Sequence, residues 1–371
     1  MPHPTTSPDA SATSATHREI RQQPAAWRDL RDLLARQGPA LQGFLAPLLA
    51  REDLRIVLTG AGTSAFVGDI ASEALRRTLR RRVESLATTD LVADPLGVLA
   101  EPLPVLLVSF GRSGNSPESS AATRLAEQVA PEVHHLVITC NAEGRLAREH
   151  TTAPRSFVLL LPEQTNDTGF AMTSSFSTML LAVLLAFEPG RAAAVDALAA
   201  AATSLLDRAP QIDALLDAEP RRVVYLGSGP LRGLAQESAL KLLELTAGRI
   251  PAFHDSPLGF RHGPKSIVDD RTLVVVHGSR DPYTARYDAD IVAELRQEHP
   301  RRVVHLGAED FPVPGLDGLD DGLRAVALAS FAQLLALGAS VRLGCTPDNP
   351  FPDGSVNRVV QGVRIHELPL R

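Results

Sequence analysis

RIVLTGAG (55–62) is the stretch on which the fold prediction depends. An apolar, β-branched run ends in two glycines, which is typical of a buried strand followed by a tight turn. A helical pattern over 65–79 comes next, and a second strand at 105–108 is again followed by a helical pattern, at 117–129. Strands that alternate with helices predict a parallel sheet covered on both faces.

Three short segments of the first half return in the second half in the same order. RIVLTGAG resembles RVVYLGSG (222–229), VLLVSFGR (105–112) resembles TLVVVHGS (272–279), and VHHLVITC (133–140) resembles RRVVHLGA (301–308). Each pair is offset by about 167 residues, and three matches in register favour an internal duplication. The sequence therefore predicts an α/β fold made of two tandem doubly wound parallel-sheet domains.

The limits of these domains follow from the same patterns. Residues 18–50 predict an N-terminal helical extension, which Pro24 interrupts. The first domain is placed at 51–215 and the second at 216–371. An alanine-rich stretch, 191–216, predicts the helix that joins the two domains.

Composition places the chain among globular enzymes. Of its 371 residues, 44% are hydrophobic and 22% are charged, and the net charge of −6 gives no basic footprint for nucleic acid. Cys140 and Cys345 are the only cysteines, so no disulfide framework is expected. No apolar run approaches the roughly 18 residues of a membrane span, and residues 1–17 predict a disordered tail rather than a signal peptide. We expect a cytoplasmic protein without nucleic-acid or membrane partners.

Hydroxyl groups and glycines cluster where strands of the first domain end. SFGRSGNSPES (109–119) follows one strand, GAGTS (60–64) follows another, and MTSS (172–175) opens an apolar helix. Glycines allow a close backbone approach and helix N-termini add aligned N–H donors, which together suit a phosphate. Helix capping explains any one of these loops equally well. The candidate phosphate-binding residues are Gly62, Thr63, Ser64, Ser109, Ser113, Asn115, Ser116, Thr173 and Ser174.

A second cluster of reactive groups lies in the second domain. On the helix predicted for 231–247, Glu237, Lys241 and Glu244 share one face, which suits either an active-site lining or two surface salt bridges. The loop PAFHDSPLGFRHGPKS (251–266) follows and is dense in titratable groups, which suits proton transfer. The residue spacings match neither a metal site nor a nucleophile elbow, so we expect no metal, no other cofactor and no serine-hydrolase triad.

Together these motifs resemble the SIS (sugar isomerase) family of phosphosugar-binding domains, and within it the AgaS branch. GAGTS and FGRSGNS match the first-domain motifs, whereas ESALKLLELTAG and RHGP match those of the second domain. DSPLGFRHGPKS and SVNRVVQGV are similar to the AgaS branch itself. The resemblance implies tandem SIS domains that act on aldose and ketose phosphates. It also implies that Ser64, Ser113 and Ser116 bind phosphate, with Arg112 beside them.

The resemblance implies catalytic roles as well. Glu244 corresponds to the carboxylate that moves a proton between C1 and C2, and Lys241 to a lysine on the same helix. His262 corresponds to a ring-opening histidine that a neighbouring subunit contributes, so a homodimer or larger homo-oligomer with shared active sites is expected. Arg358 lies near the position of a tail lysine of the family, which makes 345–362 a candidate lid.

The implied activity is amino-sugar phosphate chemistry without a cofactor. The resemblance does not extend to a glutaminase domain with its catalytic cysteine, because no cysteine precedes Cys140. Without ammonia made from glutamine, we expect the reaction to release nitrogen rather than to add it. The expected reaction converts galactosamine 6-phosphate to tagatose 6-phosphate and ammonia. A pure ketose/aldose isomerase acting on tagatose 6-phosphate or a related hexose phosphate remains the first alternative. A phosphosugar-sensing regulator is the second, although residues 1–50 contain no basic recognition helix.

Overall fold

The computed structural model describes residues 13–308 and 310–369, so residues 1–12 of the predicted tail lie outside the described chain. Two parallel sheets and the helices that cover them form the fold. The strands are β1 (Arg55–Thr59), β2 (Val83–Ser85), β3 (Val105–Gly111), β4 (Val133–Thr139), β5 (Ser156–Leu160), β6 (Arg222–Gly227), β7 (Ala252–Asp255), β8 (Thr272–His277) and β9 (Val303–Leu306). The helices are α1 (Ala15–Leu49), α2 (Thr63–Leu79), α3 (Thr88–Ala93), α4 (Pro95–Val98), α5 (Pro117–Val129), α6 (Arg145–His150), α7 (Ser174–Phe187), α8 (Val195–Asp207), α9 (Ala209–Asp213), α10 (Pro230–Leu245), α11 (Pro257–Phe260), α12 (Thr284–Glu298) and α13 (Asp321–Arg342).

The N-terminal segment forms one long helix, α1. Ser14 caps it, so the helix begins at Ala15, three residues before the predicted start. The predicted interruption at Pro24 is wrong, because the helix continues through that residue. A proline cannot donate to the carbonyl four residues earlier, and that carbonyl, of Ile20, accepts instead from the side-chain amide of Gln23 at 2.9 Å.

The first sheet has the strand order β2-β1-β3-β4-β5, and all neighbouring strands are parallel. Its register pairs Thr59 with Ser109 and Gly111 with Thr139, so the glycine-rich and hydroxyl-rich loops leave the same edge. Strand β3 continues to Gly111, three residues beyond the predicted 105–108. The reason is that β4 pairs with it up to Thr139. Ser109 therefore belongs to the strand and not to the loop.

The second sheet repeats this topology, with the order β7-β6-β8-β9 and parallel neighbours throughout. The prediction of two parallel α/β units with an N-terminal helical extension is confirmed. Backbone torsions also match at equivalent positions: φ and ψ are 55° and −128° at Gly62, and 55° and −130° at Gly229. Arg80 and Ala247, at the ends of the two following helices, have φ values of 51° and 50°. These matches support the predicted internal duplication.

The segment that joins the two halves is helical, as predicted for 191–216, but it is divided. A 3₁₀ turn at Pro189–Ala194 precedes α8, and another at Ala214–Leu216 follows α9. Pro210 lies in the first turn of α9. The backbone N–H groups of a first turn have no partner within the helix, so a proline there costs no helical hydrogen bond. The proline therefore marks the end of α8.

One hydrophobic core extends through both halves. It includes Trp27 of α1, Phe176 of α7, Leu242 of α10 and Phe331 of α13, all fully buried. Helix α13 packs against α10, α8, α7 and α2, so it contacts elements of both units. Smaller clusters cover the outer faces of the two sheets. The halves are therefore one packed body rather than two separately filled domains.

Helix α13 corrects one expectation from the sequence. Among the described residues it is the one helix long and apolar enough by composition to cross a membrane, whereas no such run was expected. Within the fold, 94% of its apolar window is buried. Its apolar character is explained by this central position, because a helix surrounded by others on every side is apolar all round.

Candidate active site

A cavity of about 460 Å³ lies where the two halves meet. The turn after β1, the end of β3, the loop before α7, the second half of α10 and the C-terminal tail line it. It brings together five predicted site residues, which are Gly62, Thr63, Arg112, Glu244 and Arg358. Four larger cavities, of about 480 to 770 Å³, contain none of the predicted site residues. The cavity where the two halves meet is therefore the candidate active site.

Charged side chains of α10 form a cluster beside this cavity. Lys241 is 1% exposed and its ammonium donates to the hydroxyl of Thr63 at 3.0 Å and to the carboxylate of Glu244. Glu237 is 2% exposed, and its carboxyl oxygen lies 3.4 Å from the same ammonium. Glu244 is the member that lines the cavity, with 23% of its side chain exposed. Burial of Lys241 and Glu237 excludes the alternative of two surface salt bridges.

Burial also decides the charges of this cluster. It raises the pKa of Glu237 to about 8, an effect that the nearby Glu244 strengthens and Lys241 opposes. Burial alone would lower the pKa of Lys241, but the carboxylates of Glu237 and Glu244 raise it. Burial thus favours the neutral form of Glu237, whereas the adjacent carboxylates favour the ammonium form of Lys241. This ammonium fixes the carboxyl of Glu244 at the cavity wall.

The turn after β1 depends on glycine for its shape. Gly62 has φ at 55°, a conformation that side-chain-bearing residues rarely adopt. At Gly60 a Cβ atom would lie 2.6 Å from Ser64, so the turn folds directly over the start of α2. Ser64 itself is buried, and its hydroxyl lies 4.0 Å from the sulfur of Met172. The turn thus presents Thr63 to the cavity, whereas Ser64 does not line it.

The loop after β3 satisfies several of its polar groups internally. Ser113 accepts the backbone N–H of Asn115 at 3.3 Å, and the Asn115 side chain accepts the first N–H of α6 at 3.0 Å. Ser116 caps α5 by accepting an N–H at 3.3 Å, so the capping alternative holds for this residue. Ser109 is buried, and within residues 13–308 and 310–369 its hydroxyl has no hydrogen-bond partner. None of these four residues lines the cavity.

The start of α7 binds a buried carboxylate that sequence reasoning missed. Asp167 is fully buried and accepts the backbone N–H groups of Thr173 and Ser175, each at 2.8 Å. It also accepts the hydroxyls of Ser174 and Ser175. An internal anion thus occupies donors that the sequence analysis assigned to phosphate. The available signal was NDTG (166–169), an acidic residue shortly before a hydroxyl-rich helix start.

Arg112 and Arg358 both bind the loop before α7. Arg112, 5% exposed, donates to the carbonyls of Phe170 and Arg358, each at 3.1 Å. Arg358 donates from Nε to the carbonyl of Gly169 at 2.9 Å and from its terminal nitrogen to that of Asp167. Burial lowers the pKa of Arg112, and the charge of Arg358 adds to this effect. Both guanidinium groups border the cavity, and the carbonyl oxygens that they bind are neutral, so these contacts leave their positive charges uncompensated. Two such cations suit an anionic ligand.

The C-terminal tail passes over one side of the cavity. Asp348 accepts the backbone N–H groups of Ala15 and Thr16, and the hydroxyl of Thr16, all at 2.8 Å. Phe351 follows, and its ring centre lies 5.2 Å from that of Phe170. Phe351, Val356, Asn357, Arg358 and Val360 of the tail line the cavity. Asp348 and Phe351 are further contacts that the sequence analysis did not identify.

His262 lies apart from the cavity in this chain. It is on an exposed turn of the second half and does not line the cavity. The preceding residue, Arg261, donates to Glu294 of α12 at 2.8 Å, which ties the turn to its own half. Phe253 and Leu258 of the same segment are 43% and 47% exposed. A single chain therefore does not bring His262 to Glu244.

Comparison with known proteins agrees with this architecture. Residues 48–189 match the SIS domain family. A Streptomyces coelicolor relative that carries the name AgaS is 55% identical over 98% of each chain, and the D-galactosamine-6-phosphate deaminase AgaS of Escherichia coli is 48% identical over 97% of each. The crystal structure of tagatose-6-phosphate ketose/aldose isomerase from Escherichia coli has a TM-score of 0.89 and 43% identity, over 99% of this chain and 100% of that one. The chain therefore belongs to the SIS domain family, in its AgaS branch.

Proposed function

We propose that the chain is a galactosamine-6-phosphate deaminase that isomerises the sugar as it releases ammonia, giving tagatose 6-phosphate. The observation that carries the proposal is the carboxyl of Glu244 at the wall of a cavity that Arg112 and Arg358 also line. A base for the C2 proton and cations for the phosphate then share one cavity. The name of the Escherichia coli relative supports this substrate.

The proposed reaction proceeds by proton transfer and hydrolysis. The partner subunit's His262 assists opening of the sugar ring. Glu244 removes the C2 proton of the open-chain aldose and returns it to C1, so that C1 becomes an alcohol and the amine-bearing C2 becomes a ketimine. Water then adds to the ketimine, and ammonia leaves. The sum consumes one water and releases one ammonia, and neither an oxidant nor a reductant takes part.

The two halves have different tasks in this proposal. The first domain, 51–215, supplies phosphate contacts from the loop after β3, at Arg112 and Ser113, and Arg358 of the tail adds a second cation. The second domain, 216–371, supplies Glu244 and the lysine that fixes it. The hydrogen bond from Lys241 to Thr63 supports this division of tasks, because it joins the charged cluster on α10 to the first half.

The active unit of the proposed enzyme is a homodimer or larger homo-oligomer. Exposed apolar side chains, Phe253 and Leu258, lie in the same segment as the exposed His262, which favours a second copy of the chain as the partner. A partner placed there can supply the histidine that one chain does not bring to its own cavity. We also propose the cytoplasm as the compartment, where Cys140 and Cys345 stay reduced.

The second candidate is a pure ketose/aldose isomerase, which the name of the Escherichia coli structure favours. The deciding experiment incubates the purified protein with galactosamine 6-phosphate and measures released ammonia, with glucosamine 6-phosphate in parallel. Ammonia from the first substrate and little from the second is the expected result. Absence of ammonia from both, together with conversion of tagatose 6-phosphate to an aldose phosphate, would establish the isomerase instead. The Glu244→Gln protein, prepared identically, controls for contaminating enzymes.

A further inference from the structure

We propose that Asp348 and Glu19 are positioning residues, which hold the C-terminal tail and the loop before α7 in fixed places on the first turns of α1. This inference rests on the proposed function, because it concerns the cavity that the two segments line. Neither residue contacts the Glu244 cluster. Their effect on the reaction therefore passes through Arg358 and Phe170.

Asp348 fixes the tail by capping α1. Its carboxylate accepts three hydrogen bonds from Ala15 and Thr16, all at 2.8 Å, across 333 and 332 residues of sequence. The first N–H groups of a helix have no intrahelical partners, and the helix dipole favours a negative charge beside them. The contact thus combines hydrogen bonds with charge attraction, which makes it a strong fixed point for the tail.

Glu19 fixes the loop one turn further along the same helix. Its carboxylate, 5% exposed, accepts the hydroxyl of Thr168 at 2.9 Å and the backbone N–H of Gly169 at 3.1 Å. A Cβ atom at Gly169 would lie 2.7 Å from the hydroxyl oxygen of Thr16, so the loop is in direct contact with α1. The residue that binds Asp348, Thr16, is therefore also the residue against which the loop packs.

The tail and the loop also hold each other. Arg358 of the tail donates to the carbonyl of Gly169 at 2.9 Å, and Phe351 of the tail packs on Phe170 of the loop. Helix, loop and tail thus form a closed ring of contacts around one side of the cavity. Releasing Asp348 from α1 leaves the tail attached through the contacts that form the cavity wall and through Leu368, which packs on the core of the first sheet. Binding of the substrate should then suffer more than the chemical step.

The α1 segment that provides these contacts is an addition to the SIS unit. The family match covers residues 48–189, whereas the contacts lie in the first turns of α1. The N-terminal extension therefore has a task at the cavity, although none of its residues lines it.

The test uses the full-length protein and three single substitutions, D348N, T16V and E19Q, together with the double variant T16V/D348N. D353N is the matched control, because Asp353 lies on the same tail but its carboxylate binds within the tail, to Ser355 at 2.7 and 3.1 Å. Two quantities are measured. One is the rate at which trypsin releases the tail after Arg358 and Arg364, followed by mass spectrometry. The other is the pair KM and kcat for ammonia release from galactosamine 6-phosphate.

We expect D348N and T16V each to accelerate tail release about fivefold or more and to raise KM about tenfold, with kcat within about twofold of wild type. The effects should be less than additive in the double variant, because T16V removes one of the three hydrogen bonds of this contact and D348N removes its charge. E19Q should raise KM with a smaller effect on tail release. D353N should behave as wild type in both assays.

Equal behaviour of D348N and D353N would overturn the inference, and so would fully additive effects in the double variant. A parallel fall in kcat and thermal stability without a change in KM would also overturn it, since that is the signature of a merely structural role. Failure of the proposed function is distinguishable, because wild type would then release no ammonia while the trypsin assay still decides the positioning role.

Discussion

Lys241 and Thr63 join the two halves of the molecule at the candidate active site. The Lys241 ammonium, on α10 of the second half, donates to the hydroxyl of Thr63 at the start of α2 in the first half, at 3.0 Å. The same ammonium binds the carboxylate of Glu244. The lysine that holds the proposed base is therefore itself held by a residue of the opposite half. Formation of the site requires both halves to be folded and docked.

Replacing Thr63 by valine keeps the side-chain shape and removes the hydroxyl that Lys241 uses. Loss of a hydrogen bond to a buried charge should lower the free energy of unfolding by about 1.5–3 kcal/mol, measured by urea denaturation. Thr178→Val is the matched control, because in the described chain the buried Thr178 hydroxyl has no partner. That variant should be as stable as wild type or more so. Equal losses in both variants would contradict the assigned role of Thr63.

Glu244→Gln should abolish turnover and spare binding. An amide cannot take up the C2 proton, so kcat should fall by about 10²–10⁴. Binding of galactosamine 6-phosphate, measured by calorimetry, should stay within about threefold of wild type, because the arginines of the cavity are untouched. Glu219→Gln, at a side chain that is 85% exposed, serves as the control. Retained turnover in Glu244→Gln would remove this residue from the mechanism.

Ser113 and Ser174 were both predicted to bind phosphate, but their surroundings differ, and so do the expected effects of replacing them. The proposed phosphate role of Ser113, which does not line the cavity of the single chain, predicts that Ser113→Ala raises KM about tenfold. Its stability should change little, because the hydroxyl accepts one long bond, at 3.3 Å. Ser174→Ala should leave KM unchanged and lower stability by about 1–3 kcal/mol, because its hydroxyl is buried on Asp167. Steady-state kinetics and thermal unfolding of both variants check the pair. The reverse pattern would place the phosphate at the start of α7.

A site completed by a second subunit can be tested by mixing inactive variants. Glu244→Gln and His262→Asn should each be inactive alone. After co-refolding in equal amounts they should recover about a quarter of wild-type activity, because half of the dimers are mixed and each contains one intact site. Glu244→Gln mixed with Lys241→Met is the control, since both changes affect the same α10 and no intact site can form. No recovery in the first mixture would argue against a shared histidine.

Acid should destabilise the fold through His277. The imidazole is fully buried 3.2 Å from the Ser238 hydroxyl, and burial lowers its pKa to about 3, from 6.5. Between these values the unfolded chain binds one more proton than the folded one, so the stability contribution is complete above pH 6.5 and falls as the pH drops below it. His277→Phe should reduce the slope of unfolding free energy against pH, near pH 5, by about 1.4 kcal/mol per pH unit. Urea titrations at pH 5, 6 and 7.5 measure both slopes, and an unchanged slope would contradict the assignment.

Local sequence patterns were sufficient to predict an element whose structure is determined by its own residues. Helix α5 was predicted at 117–129 and is found at Pro117–Val129, because Ser116 caps it and Pro117 suits its first turn. Pro24 shows the opposite case. The helix survives there because Gln23 satisfies the carbonyl of Ile20, and such a side-chain contact leaves no periodic signal in the sequence.

Residues of the site were predictable only where they belong to a recognisable sequence motif. Glu244 and Lys241 belong to a charged face on one helix, so their spacing revealed them. Glu19, Asp167 and Asp348 did not stand out, because each acts through backbone groups of a distant segment. Their partners are defined by tertiary packing, and a single acidic residue in a sequence does not show which N–H groups it will meet.

Exchange of substrate and product has to occur without separation of the two halves. A single apolar cluster extends from Trp27 to Phe331, and hinge opening between the units would expose much of it to water. Between Asp353 and Arg364 the tail is irregular and mostly exposed, so displacement of this stretch uncovers little apolar surface. Turnover in this enzyme should thus be gated by local detachment of the tail, on the microsecond to millisecond timescale of such segments, rather than by domain breathing.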